Sequence, residues 1–209
     1  MRKLFILMAV LVSFMLVISW KTQMTQSSGY TELFNGKDLS GWYTYQRKPE
    51  PTSRVEGLKM VDGSYIEPIG LNKDPLGVFS VVELDGESVI RISGETFGIL
   101  VTNESFENYH FTLEFKWGEK KYPPREDQKR DSGICYHSFG EEGAQGGVWM
   151  KSVECQIQEG DVGDLWCVNA TTAQVNISDP EERFIYDPSG PLHTFDWRNV
   201  RHCKRSIDF

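Results

Sequence analysis

The distribution of hydrophobic and polar residues along the chain predicts short β-strands separated by tight turns. Apolar and polar residues alternate in several short runs, the period expected of a strand with one buried face. Asp62-Gly63 and Asp85-Gly86 each separate two such runs and predict hairpins, because both pairs tolerate the positive φ of a tight turn. No amphipathic helix is recognisable after residue 28. The pattern indicates an all-β fold, an antiparallel sandwich or barrel.

The clearest alternation lies in HFTLEFKW, residues 110–117. We expect one side of this strand to pack into the core, while Glu114 and Lys116 on the other side face a groove or the surface. The core-facing positions are Phe111, Leu113, Phe115 and Trp117. The loop that follows has no apolar periodicity and contains two adjacent prolines, so it is predicted to lie on the surface.

A second alternating strand is predicted at VECQIQ, residues 153–158. Its apolar side, Val153, Cys155 and Ile157, is expected in the core of a two-sheet sandwich. Its polar side would line an open groove if the sheet is concave, and consists of Glu154, Gln156 and Gln158. In SGICYHS, residues 132–138, the weaker alternation predicts that Ile134 and Tyr136 pack inward while Cys135 and His137 point outward.

The net charge limits the classes of partner. The chain has 209 residues, enough for one domain with a real core, and a formal charge of −8. Binding to nucleic acid requires a positive face, so this balance argues against a nucleic-acid partner.

The N-terminus predicts export. Arg2 and Lys3 precede an uninterrupted apolar run from Leu4 to Trp20, and a polar linker occupies residues 21–28. This arrangement is typical of a signal peptide or of an uncleaved membrane anchor, and the sequence leaves both open. The protein is therefore expected to be periplasmic, secreted or anchored by this segment, with one domain over residues 29–209.

The sequence contains four cysteines, Cys135, Cys155, Cys167 and Cys203, and none of them form the Cys-x-x-Cys spacing that is typical of a zinc cluster. An even number in an exported chain permits two disulfides, and Cys167–Cys203 is one pairing that stays open. Cys155 is expected to be a buried free thiol on the apolar side of its strand.

Four motifs occur in an order and spacing similar to those of one bacterial exported family: LFNGKDLSGW at 33–42, HFTLEFKW at 110–117, DSGICYH at 131–137 and VECQI at 153–157. On these motifs the chain resembles the 3-keto-disaccharide hydrolase family, long known as domain of unknown function 1080. The resemblance covers the chain from about Thr31 onward and implies a concanavalin A-like lectin/glucanase jelly roll. Members of that family continue past the position of Phe209, so the chain is expected to lack the last strands of the jelly roll.

The resemblance implies substrates that are glycosides oxidised to a ketone at sugar C3. The ketone acidifies the C2 proton, and loss of that proton gives an enediolate that expels the glycosidic oxygen from C1. Such a reaction requires a base, groups that hold the enediolate oxygen, and an acid for the leaving group. A divalent metal ion is one candidate for the second role.

Glu154 is the first candidate for the base and His137 the second, as a proton carrier whose pKa is ordinarily near neutrality. The side chains expected to bind the sugar by hydrogen bonding or stacking are Gln156, Gln158, Trp149, Trp166, Glu114 and Lys116. If a metal ion is required, its candidate ligands are Glu154, His137, Asp161 and Asp164. Asp161 and Asp164 lie in a glycine-containing turn, where they are equally expected to cap the turn.

Two other functions stay open. A conventional glucanase-like glycosidase shares the fold but needs a second carboxyl group about 5–5.5 Å from the first in the retaining case. The positions where strand spacing would put that group hold Gln156 and Gln158 instead, which weakens this reading. A non-catalytic carbohydrate-binding module would need only the amides, the tryptophans and an acid in a shallow groove.

Overall fold

The computed structural model describes residues 29–178, 184–198 and 202–205. The chain divides into two compact units, Met1–Glu32 and Leu33–Phe209, and every strand below lies in the second. The described residues form strands, turns and bends without a helix. The strands are β1 (Trp42–Gln46), β2 (Met60–Val61), β3 (Ser64–Tyr65), β4 (Gly70–Leu71), β5 (Phe79–Leu84), β6 (Glu87–Ile92), β7 (Gly98–Thr102), β8 (Gly133–Phe139), β9 (Lys151–Gln156), β10 (Leu165–Val168), β11 (Thr172–Ser178), β12 (Ile185–Tyr186), β13 (Leu192–Asp196) and β14 (His202–Cys203).

The strands pair in antiparallel sheets. A four-stranded sheet has the order β14-β10-β9-β8, and two three-stranded sheets have the orders β12-β11-β13 and β4-β1-β7. Two further hairpins are β2-β3 and β5-β6. The domain is all-β, as predicted, and its antiparallel sheets are consistent with a jelly-roll sandwich.

The main apolar core joins the four-stranded sheet to the β12-β11-β13 sheet. Cys167 of β10 and Cys203 of β14 are buried against Ile177 of β11 and Phe195 of β13. Ile177 and Phe195 have no solvent exposure. This face of the four-stranded sheet is covered, so the polar side chains of β9 belong to the opposite face.

The two predicted hairpins are confirmed. Asp62 and Gly63 have φ of 48° and 76° between β2 and β3, and Asp85 and Gly86 have φ of 53° and 88° between β5 and β6. Positive φ at both central residues is the geometry that makes Asp-Gly the favoured pair in a two-residue hairpin turn.

The prediction for residues 110–117 was wrong. This segment forms no strand, and Phe111, Leu113 and Phe115 are exposed instead of buried. Among the described residues its main chain makes no backbone–backbone hydrogen bond, so the alternation lacks the ladder that turns it into a strand. Trp117 is half-buried and packs edge-on against Phe115.

The Cys167–Cys203 pairing is not formed, and all four cysteines are free thiols. Cys203 stands opposite Leu165 in the β10–β14 ladder, so Cys167 is two residues along and diagonal to it. Diagonal cross-strand neighbours are about 7–8 Å apart at the backbone, beyond the usual reach of a disulfide. Cys155 is also a free thiol, as predicted, but it is half-buried.

The predicted signal peptide or anchor, residues 1–20, and the linker, residues 21–28, lie outside the described residues. Within the part of the chain that is described, no helix is long and apolar enough to cross a membrane.

Candidate functional site

One cross-strand row on the four-stranded sheet brings together a carboxyl group, a thiol and two aromatic rings. Glu154 of β9 stands opposite Cys135 of β8 on one side and Trp166 of β10 on the other. Trp166 stands opposite His202 of β14. Residues that face each other across antiparallel strands project from the same side of the sheet, so this row shares the face that lies away from the apolar core.

Glu154 is the chemically distinctive member of this row. Its side chain is half-buried, and burial raises its pKa from 4.5 to about 7, with the negative charge of Asp131 adding to the effect. Asp131 precedes β8 and forms an ion pair with Arg125, with 3.2 Å between Nη2 and Oδ2. A carboxyl group that titrates near neutrality can take up and release a proton at physiological pH.

Cys135 is not a competing base. Burial, followed by the charge of Glu154, raises the pKa of its thiol to about 11. The thiol therefore stays protonated beside the carboxyl group at neutral pH. Ser152, two residues before Glu154, is also buried, and its hydroxyl offsets part of the rise in the pKa of the thiol.

Trp166 presents a large aromatic surface next to the carboxyl group. Its ring stacks on His202, with 4.4 Å between centroids and 12° between planes. The stack holds the indole in a fixed orientation beside Glu154. Of the sequence-predicted site residues, Glu154 and Trp166 are therefore brought together.

His137 lies farther along β8, where the β8–β9 register shifts between Tyr136 and Phe139. Its φ is 53°, an uncommon conformation for a residue with a side chain. The imidazole is exposed and packs between the rings of Tyr109 and Tyr136, at 5.8 Å and 5.6 Å. Within the described part of the chain, His137 and Glu154 share no hydrogen bond.

The polar residues after Glu154 are engaged with the main chain. Gln156 is almost fully buried, and its Oε1 accepts a hydrogen bond from the backbone N–H of Ile157 at 3.0 Å. Gln158 is half-buried at the start of the turn that leads into β10, where its carbonyl accepts from the N–H of Asp161 at 2.9 Å.

The two acids of this turn have structural partners. Asp161 accepts a hydrogen bond from Lys129 Nζ at 2.8 Å, which holds the pKa of the carboxyl below its usual range. Asp164 is buried, and its Oδ1 accepts from the backbone N–H of Arg205 at 3.1 Å. Both contacts fit the turn-stabilising alternative of the sequence analysis.

Three other predicted sugar-binding residues have contacts elsewhere. Trp149 is half-buried in the loop between β8 and β9 and packs edge-on against Phe97, with 6.3 Å between centroids. Glu114 and Lys116 are exposed, and Lys116 Nζ lies 3.4 Å from Asp85 Oδ2 at the β5–β6 turn. No contact among the described residues links these three side chains to Glu154.

The candidate metal ligands are not gathered into one site. Among the described residues, no group of three or more His, Cys, Asp or Glu side chains is arranged to hold a metal ion.

Sequence reasoning missed four residues of this site: Asp131, Gly133 and Cys135 beside Glu154, and His202 against Trp166. Three of them stand at alternate positions of the motif DSGICYH, so a signal was present in the period of two once Cys135 is paired with Glu154. No sequence signal pointed to His202, because the order of strands in a sheet cannot be read from the local pattern of residues.

Comparisons with known proteins agree with this architecture. A family model described as 3-keto-alpha-glucoside-1,2-lyase-like domain matches residues 29–185. No curated protein and no solved structure matches the chain.

Proposed function

The chain belongs to the 3-keto-alpha-glucoside-1,2-lyase-like family, and from this we propose that it cleaves 3-keto-glycosides with Glu154 as the general base. The family is one of carbohydrate-active, hydrolase- or lyase-like domains, which implies a sugar substrate. The observation that carries the residue assignment is the half-buried carboxyl group with a pKa of about 7 beside Trp166. A general base is most effective when its pKa lies near the working pH.

The proposed reaction begins with the C2 proton of the sugar ring. Glu154 accepts this proton, and the electron pair of the C2–H bond moves into an enediolate stabilised by the C3 ketone. The enediolate then re-forms the ketone and expels the glycosidic oxygen from C1, which leaves as an alcohol after it receives a proton. The sugar product has a C1–C2 double bond, and addition of water across it gives the hydrolysis product.

The neighbours of Glu154 support this role in different ways. Trp166, fixed by its stack on His202, offers a flat surface for the apolar face of a sugar ring. The protonated thiol of Cys135 can donate a hydrogen bond toward the same row. We assign His137, the exposed imidazole near the end of β8, the role of proton donor to the leaving oxygen.

We also propose that the protein acts outside the cytoplasm. The support is the sequence of residues 1–20, in which Arg2 and Lys3 precede the apolar run Leu4–Trp20. Expression of the full chain with a C-terminal reporter active only in an oxidising compartment tests this, and replacing Leu11 and Val12 with Asp should abolish the reporter signal. A signal that survives this double substitution would contradict export by this segment.

A conventional glycosidase is the second candidate, because Asp131 is close enough to raise the pKa of Glu154. Two nearby carboxyl groups are the usual machinery of glycoside hydrolysis. The ion pair between Asp131 and Arg125 argues against this function, because it engages the second carboxylate with another partner.

The substrate decides between these functions. Purified protein is incubated with matched pairs of glycosides, one oxidised at C3 and one not, and released aglycone is measured. We expect release from the keto form alone, with a loss of about 10²–10⁴-fold in the Glu154→Gln variant. Glu87→Gln, an exposed glutamate on β6, is the matched control and should keep full activity. Release from the unoxidised glycoside would favour the glycosidase, and binding without release would favour a carbohydrate-binding module.

A further inference from the structure

The side chain of Glu154 occupies the space that a side chain at position 133 would fill. Gly133 is the first residue of β8 and faces Gln156, two residues along from the pairing of Cys135 with Glu154 and on the same face of the sheet. A Cβ atom at position 133 would lie 2.7 Å from Cδ of Glu154 and 2.8 Å from its Cγ, with Oε1 closer still. Real Cβ atoms do not tolerate such distances, so Glu154 lies flat across the space that this glycine leaves.

The backbone conformation at position 133 does not require a glycine. Most other glycines of the domain have positive φ and stand in turns, where a missing Cβ relieves strain. Gly133 is in a strand without positive φ, and the three nearest atoms to its virtual Cβ all belong to Glu154. Gly98 of β7 is also in a strand, but its Cβ would meet the backbone of Tyr45 and the side chains of Gln46 and Phe79. The contact with a single acidic side chain is therefore specific to Gly133 among the described glycines.

We propose that Gly133 is a positioning residue for Glu154: the missing side chain creates the space that holds the carboxyl group against the sheet, leaning from its own row toward Asp131. This inference rests on the proposed function, in which Glu154 is the base. The direction follows from the strand period, because Asp131, Gly133 and Cys135 occupy successive same-face positions and Glu154 starts opposite Cys135.

The leaning position accounts for the environment of the carboxyl group. The titratable or charged groups around it are Asp131 with its partner Arg125, the thiol of Cys135, the thiol of Cys155 next to it in β9, and His202 behind Trp166. Contact with the sheet removes water from the carboxyl group, and Asp131 disfavours its ionised form. Both effects depend on the carboxyl group reaching past Cys135.

The substitution Gly133→Ala tests the inference directly. The atoms it displaces are the end of a flexible side chain, so Glu154 can swing outward without a change in the fold. Gly118→Ala is the matched control, because Gly118 has neither positive φ nor any atom within 4 Å of its virtual Cβ. The main readout is the pKa of Glu154, followed by NMR of ¹³C-labelled glutamate carboxyl groups and assigned with Glu154→Gln.

In Gly133→Ala we expect the pKa of Glu154 to fall toward its ordinary value of 4.5, and in Gly118→Ala to stay at about 7. On a 3-keto-glycoside we expect kcat to fall about 10–100-fold with KM within about twofold, because a displaced base affects proton transfer more than binding. The acid limb of the pH–rate profile should move to lower pH together with the NMR titration. An unchanged pKa in folded Gly133→Ala protein would overturn the inference.

A second variant keeps the test decisive if Gly133→Ala does not fold. Asp131→Asn should lower the pKa of Glu154 in the otherwise unchanged protein, and by less in a Gly133→Ala background, since the carboxyl group has then moved away. An unchanged pKa of Glu154 in Asp131→Asn would show that the carboxyl group of Glu154 does not lean toward Asp131. The titration does not depend on turnover, so a protein inactive on every 3-keto-glycoside would refute the proposed function while leaving the role of Gly133 measurable.

Discussion

The pKa of Glu154 predicts a pH-dependent cost to stability that one isosteric substitution should remove. In the unfolded chain a glutamate titrates near 4.5, whereas in the folded protein Glu154 titrates at about 7. Below pH 4.5 Glu154 is protonated in both the folded and the unfolded protein, so its ionisation does not change the unfolding free energy. Between 4.5 and 7 the unfolded chain ionises while the folded protein keeps its proton, so stability falls as the pH rises. Above 7 the full cost is present.

The size of this stability cost follows from the pKa shift of Glu154. At about 1.4 kcal/mol per pH unit, the change from 4.5 to about 7 corresponds to about 3 kcal/mol. Since the side chain is half-buried and water screens part of the effect, this value is an upper bound. Glu154→Gln keeps the shape of the side chain and removes its charge, so the variant should gain stability relative to the parent as the pH rises to about 8.

The assay is urea denaturation of both proteins at a series of pH values, with the difference in unfolding free energy plotted against pH. Taking the difference cancels the titrating groups that do not interact with Glu154. We expect the curve to rise between about pH 4.5 and 7 and to level off above. Glu87→Gln, at an exposed position on β6, is the matched control. A flat curve for Glu154→Gln, or one that falls with pH, would refute the burial of the carboxyl group.

Three further predictions concern the core, the exposed segment and the cysteines. Phe195→Ala should lower the unfolding free energy by about 3–5 kcal/mol, because Phe195 is fully buried between two sheets. A loss of less than about 1 kcal/mol in the same urea titration would contradict that packing. Leu113→Glu should lower the unfolding free energy by less than about 0.5 kcal/mol in the same urea titration, since Leu113 is 44% exposed; a larger loss would show that its side chain is buried. Thiol titration of the denatured, unreduced protein should count four thiols, and a count of two would show a disulfide that the structure lacks.

The all-β fold and its hairpins were predictable from sequence because they depend on local chemistry. The φ values at Asp62-Gly63 and Asp85-Gly86 are those that the residue pairs prefer, whatever the rest of the chain does. The polar side of β9 was predictable for the same reason, since alternation fixes which residues share a face.

The environment of those side chains was not predictable, because it depends on which strands become neighbours. HFTLEFKW has the best alternation in the chain, yet among the described residues no strand pairs with it and its apolar residues stay exposed. Gln156 has the right period for an open groove but folds onto the N–H of Ile157. The pairing of Trp166 with Glu154 depends on the β9–β10 ladder, which local pattern does not encode.

The most direct test of the account is exchange of the C2 proton of a 3-keto-glycoside in D₂O, followed by ¹H NMR before the glycosidic bond breaks. We predict that the protein catalyses loss of the C2 signal, that the rate rises with pH through about 7, and that Glu154→Gln abolishes this catalysis while Glu87→Gln retains it. Exchange at the wild-type rate in Glu154→Gln would contradict the assignment of Glu154 as the base.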